Sequence, residues 1–511
     1  MEHIDILFFD PPSKQFDDDT FRFGSLYQAD LACNLVFNPG LLSIASYVLD
    51  LNATVKVIHV RREQDIQQEV MKAAAAYDPA VVAISCSYMH TYLPSLELAA
   101  LSRKYFRDPL IIGGGEHLGN IDAIALQESD FDIIIRGEGE RAVARLLDVV
   151  KHRCSINEIG SLCFRRSLVQ RFRDLNEDCF SPVEYTDFAD HRTQKRIRAP
   201  ELLQSAFCEP LVPLDDMPFL RYDLYENYLQ YPPYLEESRG CYAGCRYCVS
   251  ATCRTYRNKR AERFLDELDY VISIYGTKNV IPFTAANFGV NVKNTRAICQ
   301  GIIDKYKTLR WMAEFRLDLR WEEYIDLMYQ SGCVVFNVGL ESASPEILRI
   351  MNKTSDPLRY LERAEQLMEK IRSFKNAYAH VNFMFYIGES ATTLAENMAF
   401  LTRYYNVIES MHYSPLVLYP CTGAWDDFDD YHQKYGTTIV KTHTLDRLHA
   451  YPVNPSSLYS YEEACFFSRV VEKMFIHKEG YRLNHETRVI RDADGNIAES
   501  TREAYLKRMM E

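Results

Sequence analysis

A chain of 511 residues exceeds one ordinary domain, and its 47% hydrophobic content is enough to bury cores and excludes wholesale disorder. A formal net charge of −13 argues against a nucleic-acid binder working through bulk electrostatics, although a local basic groove would escape that test. No run of about 18 uncharged apolar residues is present to span a membrane. Met1-Glu2-His3-Ile4-Asp5 lacks the plan of a signal peptide, so the 14 cysteines are expected as reduced thiols in a cytoplasmic protein.

Ile4 to Phe9 is an apolar run stopped by Asp10-Pro11-Pro12, a buried strand followed by a loop. Asn38-Pro39-Gly40 precedes a helical pattern over Leu41 to Leu49. Strands are predicted at Val55–Val60, Ala80–Ser85, Leu110–Ile112 and Ile133–Ile135, with helices at Ile66–Tyr77, Leu96–Phe106 and up to about Val150. This alternation predicts an open parallel sheet with right-handed crossovers, Rossmann-like, over residues 1–155. Ligands bind such sheets at the carboxyl ends of the strands. Those ends carry Ser85-Cys86-Ser87, Gly113-Gly114-Gly115 and Gly137-Glu138-Gly139. Glycine there lets a ligand approach the backbone, and Ser85 and Ser87 can bond a polar tail. Tight turns alone would also explain the glycines.

The strand–serine loop, Ile-Ile-Gly-Gly-Gly-Glu-His and Ile-Ile-Arg-Gly-Glu-Gly-Glu together resemble the cobalamin-binding domain fused to many radical S-adenosylmethionine (SAM) enzymes. That resemblance implies cobalamin held by Ser85, Ser87, Gly113, Gly114, Gly115 and Gly137. The D-x-H-x-x-G motif that gives cobalt a histidine elsewhere is absent, so no protein histidine on cobalt is expected. His117 is expected in a loop near the cofactor. A degenerate, cofactor-free domain is the alternative.

Residues 156–235 read as a linker with a small hairpin. The basic run Arg192–Arg198 is a solvated surface, and Asp215-Asp216-Met217-Pro218 resembles the extended lead-in of the same family.

The chain then reaches Gly240-Cys241-Tyr242-Ala243-Gly244-Cys245-Arg246-Tyr247-Cys248. A C-x3-C-x2-C spacing with two glycines crowds three soft thiolates into one loop, which suits an iron–sulfur cluster. Three ligands on four irons leave one iron open. Zinc with a recruited Cys253, or bystander thiols, are the alternatives. C-x3-C-x-aromatic-C resembles the motif of radical SAM enzymes. That resemblance implies a [4Fe–4S] cluster on Cys241, Cys245 and Cys248, SAM on the open iron, and Tyr247 near the adenine.

Strands and helices alternate from Ala261 to Leu418, predicting a partial (αβ)6 TIM-like barrel over 236–430 with active groups at strand ends. Within it, Gly339-Leu340-Glu341-Ser342 and Ile387-Gly388-Glu389-Ser390 resemble SAM-contacting elements of the family, which makes Glu341 and Gly388 candidates. Lys353 stands where the family often has a base for the SAM carboxylate. Arg316 is equally a SAM contact or an ordinary salt bridge. Thr284-Ala285-Ala286-Asn287-Phe288 departs from the family's acidic or glycine-rich pattern, which implies either that Asn287 and backbone carbonyls take the SAM amino group or that SAM sits differently. Pro420-Cys421-Thr422-Gly423 resembles the segment that closes the barrel. Residues 431–511 read as mostly helical, capping the barrel and shaping the substrate cleft. The turn at Arg491–Asn496 lacks a calcium loop's spacing.

The whole order resembles cobalamin-dependent radical SAM enzymes. The commonest activity this implies is methylation of an unactivated carbon through a 5′-deoxyadenosyl radical and methylcobalamin. The substrate would be a small molecule or peptide, and the electron donor a flavodoxin or ferredoxin type. No nucleic-acid or membrane partner is implied. A non-methylating radical reaction and a non-catalytic iron–sulfur protein are the alternatives. The residues do not identify a catalytic acid or base.

Overall fold

β1 (Glu2–Asp10) lies second from one edge of an eight-stranded sheet in a computed structural model of the chain. The structure describes residues 1–13, 37–188, 194–249, 255–277, 280–440 and 446–475. Cys253, Arg192 and the turn at 491–496 lie outside the described residues. The described chain divides into two compact units, one of residues 1–13, 37–228 and 446–450, the other of 229–440 and 451–475.

In the first unit, β1 is followed by α1 (Pro39–Asp50), β2 (Val55–His59), α2 (Ile66–Ala76), β3 (Tyr77–Ser85), α3 (Tyr92–Tyr105) and β4 (Leu110–Gly114). Two short helices come next, α4 (Glu116–Asn120) and α5 (Asp122–Glu128), then β5 (Ile133–Ile135) and α6 (Glu140–Val150). The first five strands run parallel in the order β2-β1-β3-β4-β5. Their interiors are continuous apolar runs because helices cover both faces. Val81, Val82, Ile111, Ile133 and Ile134 are fully buried. Asn38 caps α1, its Oδ1 accepting from Leu41 N at 3.1 Å, with Pro39 in the first turn.

The stretch read as a linker is partly sheet. β6 (Leu162–Arg165), β7 (Phe180–Phe188) and β8 (Gln194–Ser205) extend the same sheet, antiparallel, in the order β5-β6-β8-β7. The expected hairpin is β7–β8. It escaped notice as sheet because its outer part is polar, with Arg196 and Arg198 exposed and paired to Glu184 across the strands.

The second unit opens with β9 (Leu235–Glu236), then β10 (Ser238–Arg239), which pairs antiparallel with β11 (Arg257–Asn258). It continues as α7 (Ala261–Tyr275), β12 (Val280–Thr284), α8 (Val292–Lys305), β13 (Arg310–Phe315), α9 (Ile325–Gln330), β14 (Cys333–Glu341), α10 (Pro345–Ile350), α11 (Pro357–Arg372), β15 (Tyr378–Phe385), α12 (Ala391–Arg403) and β16 (Ile408–Pro415). β9, β12, β13, β14, β15 and β16 form one parallel six-stranded sheet in sequence order, the open barrel the alternation predicts. The run expected as one strand to Leu418 breaks at Pro415, and β17 (Val417–Leu418) belongs to another sheet.

After α13 (Gly423–Asp426) and α14 (Phe428–Tyr435) come β18 (Thr438–Ile439), β19 (Tyr451–Asn454) and α15 (Tyr461–Lys473). The segment after 430 therefore adds two strands, β18 and β19, that complete a small β17-β19-β18 sheet. No helix among the described residues is long and apolar enough to cross a membrane. None of the twelve described cysteines is in a disulfide.

Candidate functional site

The cysteine loop leaves the carboxyl end of β9, the first barrel strand. Cys245 is buried, and Cys241 and Cys248 are half-buried. Cys241 Sγ accepts from Asn287 Nδ2 at 2.9 Å and from Ala243 N at 3.4 Å. Cys245 Sγ accepts from Arg316 Nη1 at 3.2 Å. Asn287 lies just past β12 and Arg316 just past β13, so successive strand ends deliver N–H donors to the sulfurs. Such donors suit thiolates that ligate iron. Among the described residues no group of three or more His, Cys, Asp or Glu is placed to hold a metal ion, and Cys253, the fourth ligand a zinc site would recruit, lies outside them.

Three consecutive residues after α10 grip this loop from the other side. Met351 O accepts from Arg246 N at 2.9 Å. Asn352 Nδ2 donates to Gly244 O at 2.8 Å, from a backbone at φ 50. Lys353 Nζ reaches Tyr247 Oη at 3.3 Å and Glu341 Oε1 at 3.1 Å. Arg316 closes the set: its Nη2 donates to Lys353 O, and its Nε and Nη2 fork onto Asp318 at 2.9 and 2.8 Å. Arg316 is thus both the ordinary salt bridge and a contact of the cysteine loop.

Glu341 ends β14 at a register shift against β15, with φ 68. A bulge re-aims a side chain, and a non-glycine residue in the left-handed region is strained. Here it brings the carboxylate to Lys353. Both are buried, at 9% and 4% exposure, so the pair is largely withdrawn from water. Burial works against the Lys353 charge, but Tyr360 and Glu341 more than offset it, so its pKa is raised. Gly339 makes room, since a Cβ there would lie 3.0 Å from both Glu341 Oε1 and Lys353 Nζ.

Gly388 is not part of this bonded set. It has φ +86, and a Cβ there would meet Ile350 Cδ1 at 2.9 Å and the Tyr435 ring at 3.2 Å, so its role in the fold is steric. Its amide donates to Pro455 O. Gly423 packs on the cysteine loop, where a Cβ would lie 2.6 Å from Arg246 Cδ, and Ala424 N donates to Arg246 O at 2.7 Å.

Sequence reasoning missed two carboxyls at strand ends. Glu237 follows β9, and burial pushes its pKa up to about 7. Glu389 lies beyond β15, and burial pushes its pKa up to about 8. Each is fully buried with one carboxyl oxygen lacking a hydrogen-bond partner, Oε2 of Glu237 and Oε1 of Glu389. Burial thus favours the neutral form of both, so each can carry a proton well above the usual carboxylate range. Asn352 and Asp318 were missed as well, because one polar residue in a loop carries no periodic signal.

In the first unit, the order β2-β1-β3 places a topological switch point between β1 and β3. Asp10 and Ser85 end those strands. Asn38 Nδ2 bridges them, at 3.2 Å from Asp10 Oδ1 and 2.9 Å from Ser85 Oγ. Tyr225 Oη donates to Asp10 Oδ2 at 2.9 Å, with His59 Nε2 at 3.9 Å. Burial raises the Asp10 pKa and lowers that of His59. Of this group the sequence marks Ser85 alone as a site residue, and Asn38 only as the lead into a helix.

The triple glycine separates by role. Gly113 packs against Leu118 and Phe131. Gly115 sits at φ +108 with its Cα so close to the Cys86 carbonyl that a Cβ would lie 2.6 Å from it. Cys86 N donates to Gly114 O at 2.7 Å, so the loops after β3 and β4, Ser87 included, are fastened together. Gly114 has ordinary clearance, and Gly137 faces open space. Gly115→Ala combines backbone strain with a main-chain clash, and should cost about 3 kcal/mol or more. Thermal unfolding of the full chain checks this, and an unchanged Tm would mean the loop adapts. His117 is not a loop residue: it is buried in α4, its Nε2 2.8 Å from Leu448 O, and burial drives its pKa down to about 3.

The B12 binding domain family matches residues 33–147, and the Radical SAM superfamily matches residues 236–401. The chain carries a B12-binding domain and a radical SAM domain. The cofactors of this family are a [4Fe–4S] cluster, SAM and cobalamin. Among relatives, an uncharacterized methyltransferase of Pyrococcus horikoshii is 24% identical over 391 residues, covering 76% of this chain and 77% of its own. An anaerobic magnesium-protoporphyrin IX monomethyl ester cyclase of Synechocystis is 22% identical over 62% of this chain, which spans only 59% of the cyclase's length. The solved structure of TsrM from Kitasatospora setae, a radical SAM methyltransferase with cobalamin and a [4Fe–4S] cluster bound, matches with a TM-score of 0.64. That match covers 100% of this chain and 89% of TsrM at 14% identity, a likeness of fold.

Proposed function

We propose that the protein is a cobalamin-dependent methyltransferase acting on an unactivated carbon of a small-molecule or peptide substrate. What carries the reading is one juxtaposition. A C-x3-C-x2-C loop on the first barrel strand, supplied with N–H donors at its sulfurs, shares a chain with a sheet of the B12-binding type. When bound, the cluster and SAM supply a 5′-deoxyadenosyl radical and cobalamin supplies a transferable methyl group.

The chain's residues orient and shield. Cys241, Cys245 and Cys248 hold the cluster. Lys353 and Glu341 form the polar face for the SAM carboxylate and amino groups, with Tyr247 packed beside them. The loops carrying Ser85, Ser87, Gly114 and Gly137 receive cobalamin. Glu237 and Glu389 are the groups able to hold a proton at pH 7. One electron comes from an external flavodoxin or ferredoxin type donor, in a compartment that keeps thiols reduced.

The test has two stages. Anaerobically reconstituted protein should retain added hydroxocobalamin through gel filtration. With SAM carrying a deuterated methyl group and titanium(III) citrate, it should form 5′-deoxyadenosine and deliver the labelled methyl to cobalamin. Retention of cobalamin and formation of deoxyadenosine without methyl transfer would favour a non-methylating reaction, the reading that the cyclase relative suggests. Protein that binds neither cofactor would end both.

A further inference from the structure

We infer that Arg316 and Asn287 are positioning residues that raise the reduction potential of the cluster through N–H···S bonds to two of its three cysteines. The inference rests on the reading that Cys241, Cys245 and Cys248 hold that cluster. Adding one electron makes the cluster and its thiolate ligands more negative. A donor aimed at a ligand sulfur stabilises that added charge, and hydrogen bonds to sulfur are among the factors that set iron–sulfur potentials.

The two donors are unequal. Arg316 carries a full positive charge, is 6% exposed, and brings Nη1 to 3.2 Å from Cys245 Sγ. Charge-assisted bonds are roughly twice as strong as neutral ones, and little water is present to screen this one. Its plane is fixed by the fork onto Asp318 and by Lys353 O, so Nη1 has no freedom to turn away. Asn287 is 1% exposed and gives Cys241 a neutral amide donor at 2.9 Å. Cys241 also accepts from Ala243 N, so losing Asn287 leaves it one donor. The larger effect therefore belongs to Arg316. The same guanidinium holds the main chain of Lys353, whose side chain meets Glu341 and Tyr247, so the cluster and the proposed SAM contacts share one fixed element.

The experiment is an anaerobic potentiometric titration of reconstituted full-length protein. Titanium(III) citrate supplies the single electron, and the reduced cluster is followed by electron paramagnetic resonance. Iron content is measured on every sample. Arg316→Gln should keep its iron yet show about a tenfold lower reduced-to-oxidised ratio at the wild-type midpoint, about 59 mV for a one-electron couple. Asn287→Ala should shift the same way by less. Arg316→Lys keeps the charge without the fork, and should fall between Arg316→Gln and wild type. A cluster of full iron content titrating at the wild-type potential in Arg316→Gln overturns the inference and leaves the cluster assignment standing. If Arg316→Gln loses its iron, the other two variants decide by the same sign. Wild-type protein that binds no iron removes the cluster reading itself.

Discussion

Replacing Cys241, Cys245 or Cys248 by Ala is expected to abolish the cluster, with iron falling from about four per chain to near zero after anaerobic reconstitution. All three thiolates would be needed to hold a cluster there, so two remaining ligands should not retain it through desalting. The loop itself should survive the change. Its backbone is held from outside, by Met351 O on Arg246 N, by Asn352 on Gly244 O, and by Arg246 O on Ala424 N. Loss of iron with an unchanged Tm of the iron-free protein would therefore mark a ligand rather than a folding residue. Cys253→Ala should keep both iron and visible absorbance. If Cys253 proves as necessary as the other three, a closed four-cysteine site becomes the better account.

The barrel and the parallel sheet were legible because of how such strands are buried. A strand covered on both faces is a continuous apolar run, as over Val81 to Ile84 and Val334 to Phe336, and such runs punctuated by helices admit few topologies. The β6–β8 extension was not legible for the converse reason. Its outer hairpin pairs charged residues across exposed strands, which looks like a solvated loop. The cysteine trio and Lys353 could be found because spacing and charge are written in one dimension. What binds them together could not. Arg316 meets Cys245 across 71 residues, Asn287 meets Cys241 across 46, and Asn352 meets Gly244 across 108. Those contacts are made by strand order and by left-handed residues at helix and strand ends. Asn287 shows the consequence. Reading its strand end alone pointed to the SAM amino group and could not show that in the folded chain its Nδ2 donates to a cysteine sulfur.

The second large effect concerns Lys353. Lys353→Ala strips the partner from a buried carboxylate, and leaving a buried charge uncompensated costs about 3 to 5 kcal/mol. Glu341 cannot simply swing to water, because the bulge and its φ of 68 fix the backbone that carries it. The expected result is a clear drop in Tm, larger than surface substitutions give. Lys353→Met with Glu341→Gln removes both charges while keeping volume, and should recover most of that stability. SAM affinity should not recover with it. If Lys353 faces the SAM carboxylate, either variant loses a charge-assisted bond, and binding should weaken about tenfold or more, since about 1.4 kcal/mol is a factor of ten. Iron content should stay normal, because Lys353 O still accepts from Arg316 and the side chain's bond to the cysteine loop goes to Tyr247, which is not one of the cysteines. The two readouts together separate the roles. A double variant with restored Tm, full iron and weakened SAM binding in an anaerobic titration places Lys353 in the site. The same protein with unchanged SAM affinity leaves Lys353 and Glu341 as a structural pair that fixes the end of β14 behind the cysteine loop.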